Sequence, residues 1–561
     1  MYLRTVAAKG RQYVQLAHNV RDPHTGVSKA QILYNFGRAD RVDLAGLRRL
    51  VRSIARFLEP AEVHDVEKQL DLDLTFEYIG SRRLGGTWFL DRLWKRLGID
   101  ETLGQLLDDR RFRTPIERLI FAMTANRALS PSSKLALEDW VADEVMIPDL
   151  PAVEVHQLYR AMDVLLEASE AIQHDVFFSV AHLFNLECDL LFLDTTTTYF
   201  EIEGEDPDEV RDDGESIDGL RKRGHSKDGR RGSAQVVIGW AVTRGGIPVR
   251  CWVWPGNRCD ATLVEEVKRD LNGWQLGRIV TVLDAGFNSE ENRRVLQGAG
   301  DHYIIGERLR EGGKGLPVEA MRRPGRYEAI DGGLESKEVT VGTGASRQRF
   351  VVVRNPDEAK RDRMKREEIV AEVERRLAGL AQTDGDPHRK AACALRSHPT
   401  FGRYVRQTKT GTLVLHREKI RDEERLDGKF LIRVSDDGLS AVDAVAGYKQ
   451  LWQVERVFRD LKHVVDIRPV HHRLNDRIRA HVLLCWLAML LIRLAENETS
   501  QTWHQLQRSL RRLEVGIHRT RSGEVWQTNR ATPELAELFA SLDLKLPPRY
   551  LALPAVGRPA A

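Results

Sequence analysis

Residues 190–200, Leu-Leu-Phe-Leu-Asp-Thr-Thr-Thr-Thr-Tyr-Phe, decide how this chain folds. Leu190 to Leu193 form a short continuous apolar run, which predicts a buried strand. The run ends in a carboxylate, Asp194. A second run, Ile279 to Leu283, ends the same way in Asp284. Side chains at the carboxyl ends of strands in an α/β sheet project into the crevice where such sheets place their sites. Either aspartate alone reads more readily as a turn cap. Two of them on neighbouring strands make paired hard-oxygen donors, which suit Mg²⁺. Thr195 to Thr198 are β-branched and read as strand rather than as nucleophiles.

Around these runs the chain reads as a mixed α/β sheet. Val236–Val242 and Val249–Val253 are strands joined by the turn Arg244-Gly245-Gly246, and Tyr303–Ile305 is a further strand. Helical periodicity at Thr262–Leu271 and Ser289–Gln297 separates the later strands. Upstream, residues 1–40 alternate like a small β-meander. Residues 41–185 are helical, with periodic stretches at Ala45–Phe57, Gly86–Leu97, Pro115–Arg127 and Val155–Phe184. Residues 311–440 mix glycine-rich turns, short strands (Glu338–Val341, Arg349–Val353, Thr412–Leu415, Lys429–Val434) and a charged helix, Pro356–Leu380. They read as a β-rich insertion. The core is then expected from 186–310 and 441–500, and 501–561 as a C-terminal helical tail.

Composition narrows the class. The chain has 561 residues, 42% of them hydrophobic, with a net charge of +3. That excludes a disordered chain and a polycation, and predicts three or four domains. The five cysteines form no CxxC pair, so neither a disulfide framework nor a structural zinc site is expected. The longest apolar run, Val482–Ile492, has 11 residues, whereas a membrane span needs about 20. The N-terminus has no apolar stretch of the signal-peptide kind. A soluble cytoplasmic protein without membrane association is expected. The near-neutral total averages opposed segments: residues 201–218 hold ten acids and one arginine, and residues 221–231 hold six Arg/Lys and one Asp. The first reads as a loop that could shield the second.

The third element is Gly447–Arg473, GYKQLWQVERVFRDLKHVVDIRPVHHR. Read as one helix, Tyr448, Glu455 and Lys462 recur every seven residues, so they share a face. Leu451, Val454, Phe458, Leu461 and Val465 form a neighbouring apolar stripe to pack on the sheet. Residues 456–479 carry seven Arg/Lys, among them Arg456, Arg459 and Arg473, a basic strip beside Glu455.

The order strand-Asp, strand-Asp, late helix-Glu resembles the DDE transposases of bacterial insertion sequences. The last motif is similar to the Tyr-x2-Arg-x3-Glu-x6-Lys signature of the insertion-sequence-four group. Tyr448, Glu455 and Lys462 fall in register and Leu451 stands at the Arg position. The segments GHSKDGRRGSAQ from Gly224 and GIPVRCWVWPGN from Gly246 resemble the long branch of that group. The resemblance implies a ribonuclease-H-like core interrupted by an insertion domain. It also implies Asp194, Asp284 and Glu455 as catalytic ligands of two Mg²⁺ (or Mn²⁺) ions. Tyr448 and Lys462 would contact DNA, with Arg456, Arg459 and Arg473 beside them. The implied partners are double-stranded DNA (terminal inverted repeats and target) and a second copy in a homodimeric synaptic complex. The implied place of action is the bacterial nucleoid. By the same analogy, region 41–185 would bind transposon ends. A metal-dependent endonuclease or resolvase of the same fold, and a non-catalytic DNA-binding derivative, are the alternatives.

Overall fold

The computed structural model describes the chain except residues 9–10, 22–27, 44–76, 109–113, 151, 184–189, 203, 211–215, 231, 275–278, 299, 310–315, 383–384, 521–522 and 553–561. The helix expected at Ala45–Phe57, and Cys188, lie outside the described residues. Two compact units are present: Met1–Gly80 with Ile517–Trp526 and Ala552–Ala561, and Ser81–Gly516 with Gln527–Leu551.

The first unit contains an antiparallel meander of β1 (Tyr2–Ala8), β2 (Arg11–Arg21) and β3 (Ser28–Arg38), in that spatial order. The β2–β3 register shifts at two places, as β-bulges do. Its side chains are mostly exposed, and Ala17 is fully buried.

In the second unit, β4 (Glu77–Arg83), which begins in the first, leads into a helical region. The expected helices form at Gly85–Arg96 and Ile116–Leu129, and the Val155–Phe184 stretch divides into Val155–Glu167 and Ser169–Leu183. The sheet follows. Its strands are β5 (Leu190–Tyr199), β8 (Gln235–Thr243), β9 (Pro248–Pro255), β10 (Val280–Leu283) and β11 (His302–Gly306). Between β5 and β8 lies a two-residue pairing of β6 (Glu209–Val210) with β7 (Ser216–Ile217). The spatial order β9-β8-β5-β10-β11 has antiparallel pairs on the β5–β8–β9 side and parallel pairs β5–β10 and β10–β11. This is the ribonuclease-H-like arrangement. All nine residues of β8 are buried, as a central strand covered on both faces requires.

The insertion differs from its expected form. Its strands β12 (Glu328–Ile330), β13 (Leu334–Val341), β14 (Gln348–Arg354) and β17 (Lys429–Val434) do not make a separate sheet. They continue the core sheet through β17, which pairs antiparallel with β11, giving nine strands in one sheet. Such pairing joins residues 126 or more apart and leaves no local trace in the sequence. Between β14 and β17 stand the helices Pro356–Leu380 and Gly385–Ser397 and the small hairpin of β15 (Val405–Gln407) and β16 (Leu413–Leu415). They share a core of their own around Val373, Leu395 and Tyr404. The C-terminal segment is not wholly helical either: with helices Trp503–Leu510 and Pro533–Ser541 it contains β18 (Glu514–Thr520), β19 (Gly523–Thr528) and β20 (Tyr550–Ala552).

The long helix Asn475–Thr499 is apolar enough to cross a membrane by length and composition. Its most apolar window is 94% buried inside the protein, so its hydrophobic surface is already covered. It packs on helices Ile116–Leu129 and Val155–Glu167 and on β9, forming the centre of the core.

Candidate active site

Asp194 and Asp284 meet because β5 and β10 run parallel with Leu193 opposite Leu283. The next residue in each chain is the aspartate. Asp194 does not end its strand: β10 stops there, while β5 continues to Tyr199, paired with β8 alone. Thr195 to Thr198 are buried within that continuation.

Tyr448 and Glu455 do not share one helix. The chain forms helices Ala441–Lys449 and Trp452–His463, broken at Gln450-Leu451. Leu451 N–H donates to Tyr448 O (3.1 Å) and Val454 N–H to Leu451 O (3.1 Å), both three residues back. These tight i→i−3 bonds change the pitch, so a seven-residue spacing across the break no longer fixes a face. Both side chains nevertheless reach one cleft of about 290 Å³, lined by Asp194, Asp284, Phe430, Tyr448, Leu451 and Glu455 among others. Val454, Phe458, Leu461 and Val465 of the apolar stripe are buried, while Leu451 faces the cleft.

Tyr448 Oη donates to Asp284 Oδ1 (3.4 Å), and its ring stacks on Phe430. Burial, and then the charges of Asp284 and Glu455, push its phenol well above its usual range, so it is a neutral donor. Gly306 closes this corner: a Cβ there would meet Tyr448 Oη at 2.2 Å. Gly306→Ala is expected to displace Tyr448 from Asp284 and slow DNA cleavage on the order of 100-fold. Cleavage kinetics beside Tyr448→Phe check this, and a wild-type rate in Gly306→Ala would disprove it.

Asp194 carries an unusual load. Burial raises its carboxyl to about 6 from the ordinary 3.8. Lys227 and the Thr195 N–H oppose the rise, while Asp260 and Asp284 add to it. Lys227 Nζ stands 3.7 Å from Asp194 Oδ1 and 3.0 Å from Asp260 Oδ2, and donates to Thr195 O (2.9 Å) and Thr195 Oγ1 (2.6 Å). Asp260 was not singled out in the sequence. It stands three residues beyond Asn257, the end of the GIPVRCWVWPGN segment.

The expected DNA-contacting residues are placed as follows. Lys462 Nζ binds Asp228 Oδ1 at 2.6 Å and is 14% exposed. Arg456 pairs with Glu496 (3.1 Å), Arg459 stands 3.9 Å from Asp460, and Arg473 is exposed. Of the acidic loop, Asp206 binds Arg221 (2.8 Å) and Asp208 binds Lys222 (2.6 Å), so acids do cover the first cations of the basic segment.

Among the described residues, no three His, Cys, Asp or Glu side chains are close enough together to hold one ion. The donor chemistry still suits a hard divalent cation. Asp194, Asp284 and Glu455 line one cleft, and the mutual repulsion that helps raise Asp194 is what such a cation relieves.

Comparison with known proteins adds the family. Residues 3–64 match the IS1634 family transposase N-terminal domain, and residues 209–491 match the transposase DDE domain. No curated protein matches the chain. Among solved structures, the cryo-EM piggyBac transposase synaptic complex with hairpin DNA is similar at 10% identity and a TM-score of 0.32, over 76% of this chain and 78% of that one. The Mos1 mariner paired-end complex with Mn is similar at 12% identity and a TM-score of 0.15, over 36% of this chain and 57% of that one. The DDE domain match spans half of the chain and encloses Asp284, Glu455 and the cleft-lining helices, so the chain belongs to the DDE transposases, in their IS1634 group, which cleave DNA and transfer its strands in transposition.

Proposed function

We propose that this transposase excises an insertion sequence at its terminal inverted repeats and joins the freed ends to target DNA, with Asp194, Asp284 and Glu455 as ligands of divalent cations. The observation that carries this reading is the pairing of Leu193 with Leu283, which sets the two aspartates side by side at one cleft. When bound, two Mg²⁺ or Mn²⁺ ions supply Lewis acidity for in-line phosphoryl transfer. The chain's own contribution is positioning: the parallel strands hold two carboxylates, the Trp452–His463 helix presents the third, and Tyr448 orients Asp284 through its hydroxyl. No covalent protein nucleophile is required.

Arg459 and Arg473 are exposed and available to phosphates, whereas Lys462 reaches DNA only by leaving Asp228. Residues 41–185 are proposed to read the ends, and two copies to assemble on them in the cytoplasm. The test incubates the protein with Mg²⁺ and DNA carrying the element's terminal repeats. Cleavage followed by joining supports the reading; cleavage that never proceeds to joining makes it an endonuclease instead.

The raised Asp194 carboxyl sets a pH dependence. Its folded value, about 6, exceeds the ordinary 3.8, so its contribution to stability is present below pH 3.8 and lost as pH rises through about 6. A divalent cation binds the ionised form, so cation affinity moves the opposite way. Mn²⁺ titrations are expected to give weaker binding at pH 5 than at pH 7.5; equal affinities would contradict the assignment.

A further inference from the structure

The segment GHSKDGRRG, Gly224 to Gly232 with Ser226-Lys227-Asp228 near its centre, crosses between two parts of the site that lie far apart in sequence. Lys227 fastens it to β5. Its backbone N–H donates to Thr197 Oγ1 (3.0 Å), and its ammonium donates to Thr195 O and Oγ1, next to Asp194. The following residue fastens it to the helix that carries Glu455. Asp228 Oδ1 accepts from Lys462 (2.6 Å) and from Arg468 (2.7 Å), and the Asp228 side chain is 3% exposed. Two charge-assisted bonds on one buried carboxylate oxygen make a rigid joint.

Glu455 itself is exposed, so the backbone of its helix sets its position. Lys462 lies seven residues further along the same helix, so holding Lys462 fixes the turn and the rise of Glu455.

We propose that Asp228 is a positioning residue of the cation site: through Lys462 and Arg468 it holds the Glu455 helix, and Lys227 holds the same segment on the Asp194 strand. The inference rests on reading Asp194, Asp284 and Glu455 as the ligands. Asp228 does not touch the cation. Its removal leaves Lys462 and Arg468 without the carboxylate that fixes them, and Glu455 loses its place relative to the two aspartates. Residues that orient ligands from behind in this way are worth about 10- to 100-fold in metal affinity.

The test measures Mn²⁺ affinity of the full chain by calorimetry, with no DNA present. The proteins are wild type, Asp228→Asn, Lys462→Met and the ligand control Asp284→Asn. Melting without metal is recorded for each. Asp228→Asn is expected to bind Mn²⁺ about 10- to 100-fold more weakly. Its DNA cleavage should recover towards the wild-type rate at saturating Mn²⁺, which a merely destabilised fold would not do. Lys462→Met keeps Arg468 on Asp228 and is the milder variant should Asp228→Asn fail to fold; a severalfold loss of affinity is expected. If Asp284→Asn loses Mn²⁺ while Asp228→Asn and Lys462→Met bind like wild type, the proposal is overturned and the ligand reading stands. If Asp284→Asn binds like wild type, both are overturned.

Discussion

Asp284→Asn is expected to abolish strand cleavage and strand joining while leaving folding and DNA binding intact. Asp284 follows the last residue of β10 and is exposed, and its side chain accepts a long bond from Tyr448 Oη. Little stability depends on it. Its proposed chemical role is different: the amide keeps the shape but removes the charge that would hold a cation. The loss in rate is expected to be on the order of a thousandfold, as for other preorganised electrostatic groups. Gel assays on DNA with terminal repeats read the rate, and melting reads the fold. A variant that cleaves at a tenth of the wild-type rate or faster would remove Asp284 from the site.

The largest effect on stability is expected at Arg493. It is buried in the long core helix and binds both Glu496 and Asp460. Asp460 lies on the Trp452–His463 helix, so this arginine joins the helix that bears Glu455 to the core. Arg493→Met keeps the length of the side chain and removes a partner that the two carboxylates share. Breaking a buried pair from one side costs about 3–5 kcal/mol. Here Arg456 also touches Glu496 (3.1 Å), so a value near the lower end, about 3 kcal/mol, is expected. Urea denaturation checks this, and a midpoint within error of wild type would show that the pair contributes nothing.

The parts of the site that were legible in the sequence are those set by local pattern. Leu190–Leu193 and Ile279–Leu283 are apolar runs without helical period, so strands leading into Asp194 and Asp284 followed from them. The apolar stripe from Val454 to Val465 marked the buried face of the Glu455 helix. What escaped depends on distant chain. The β-branched Thr195–Thr198 read as strand, but that their partner is β8 alone did not show. The strands expected in a separate insertion join the core because β17 finds β11. The break at Gln450-Leu451 carries neither glycine nor proline, so the seven-residue spacing read straight through it. Lys227 and Asp228 were visible only as opposite charges in a basic run. Their partners, Asp260 and Lys462, are 33 and 234 residues further on. Counting charge treated Lys462 as a free cation, whereas the fold pairs it with Asp228.

Asp194, Asp284 and Glu455 are proposed to surround a divalent cation. Loading the protein with Fe²⁺ in place of Mg²⁺ and adding peroxide and ascorbate tests it most directly, because radicals formed at the metal cut the nearest backbone. Cuts are expected in three separate places, near residues 194, 284 and 455, all suppressed by excess Mg²⁺ and lost in Asp284→Asn. Cuts confined to other segments, or the same three cuts persisting in Asp284→Asn, would contradict it.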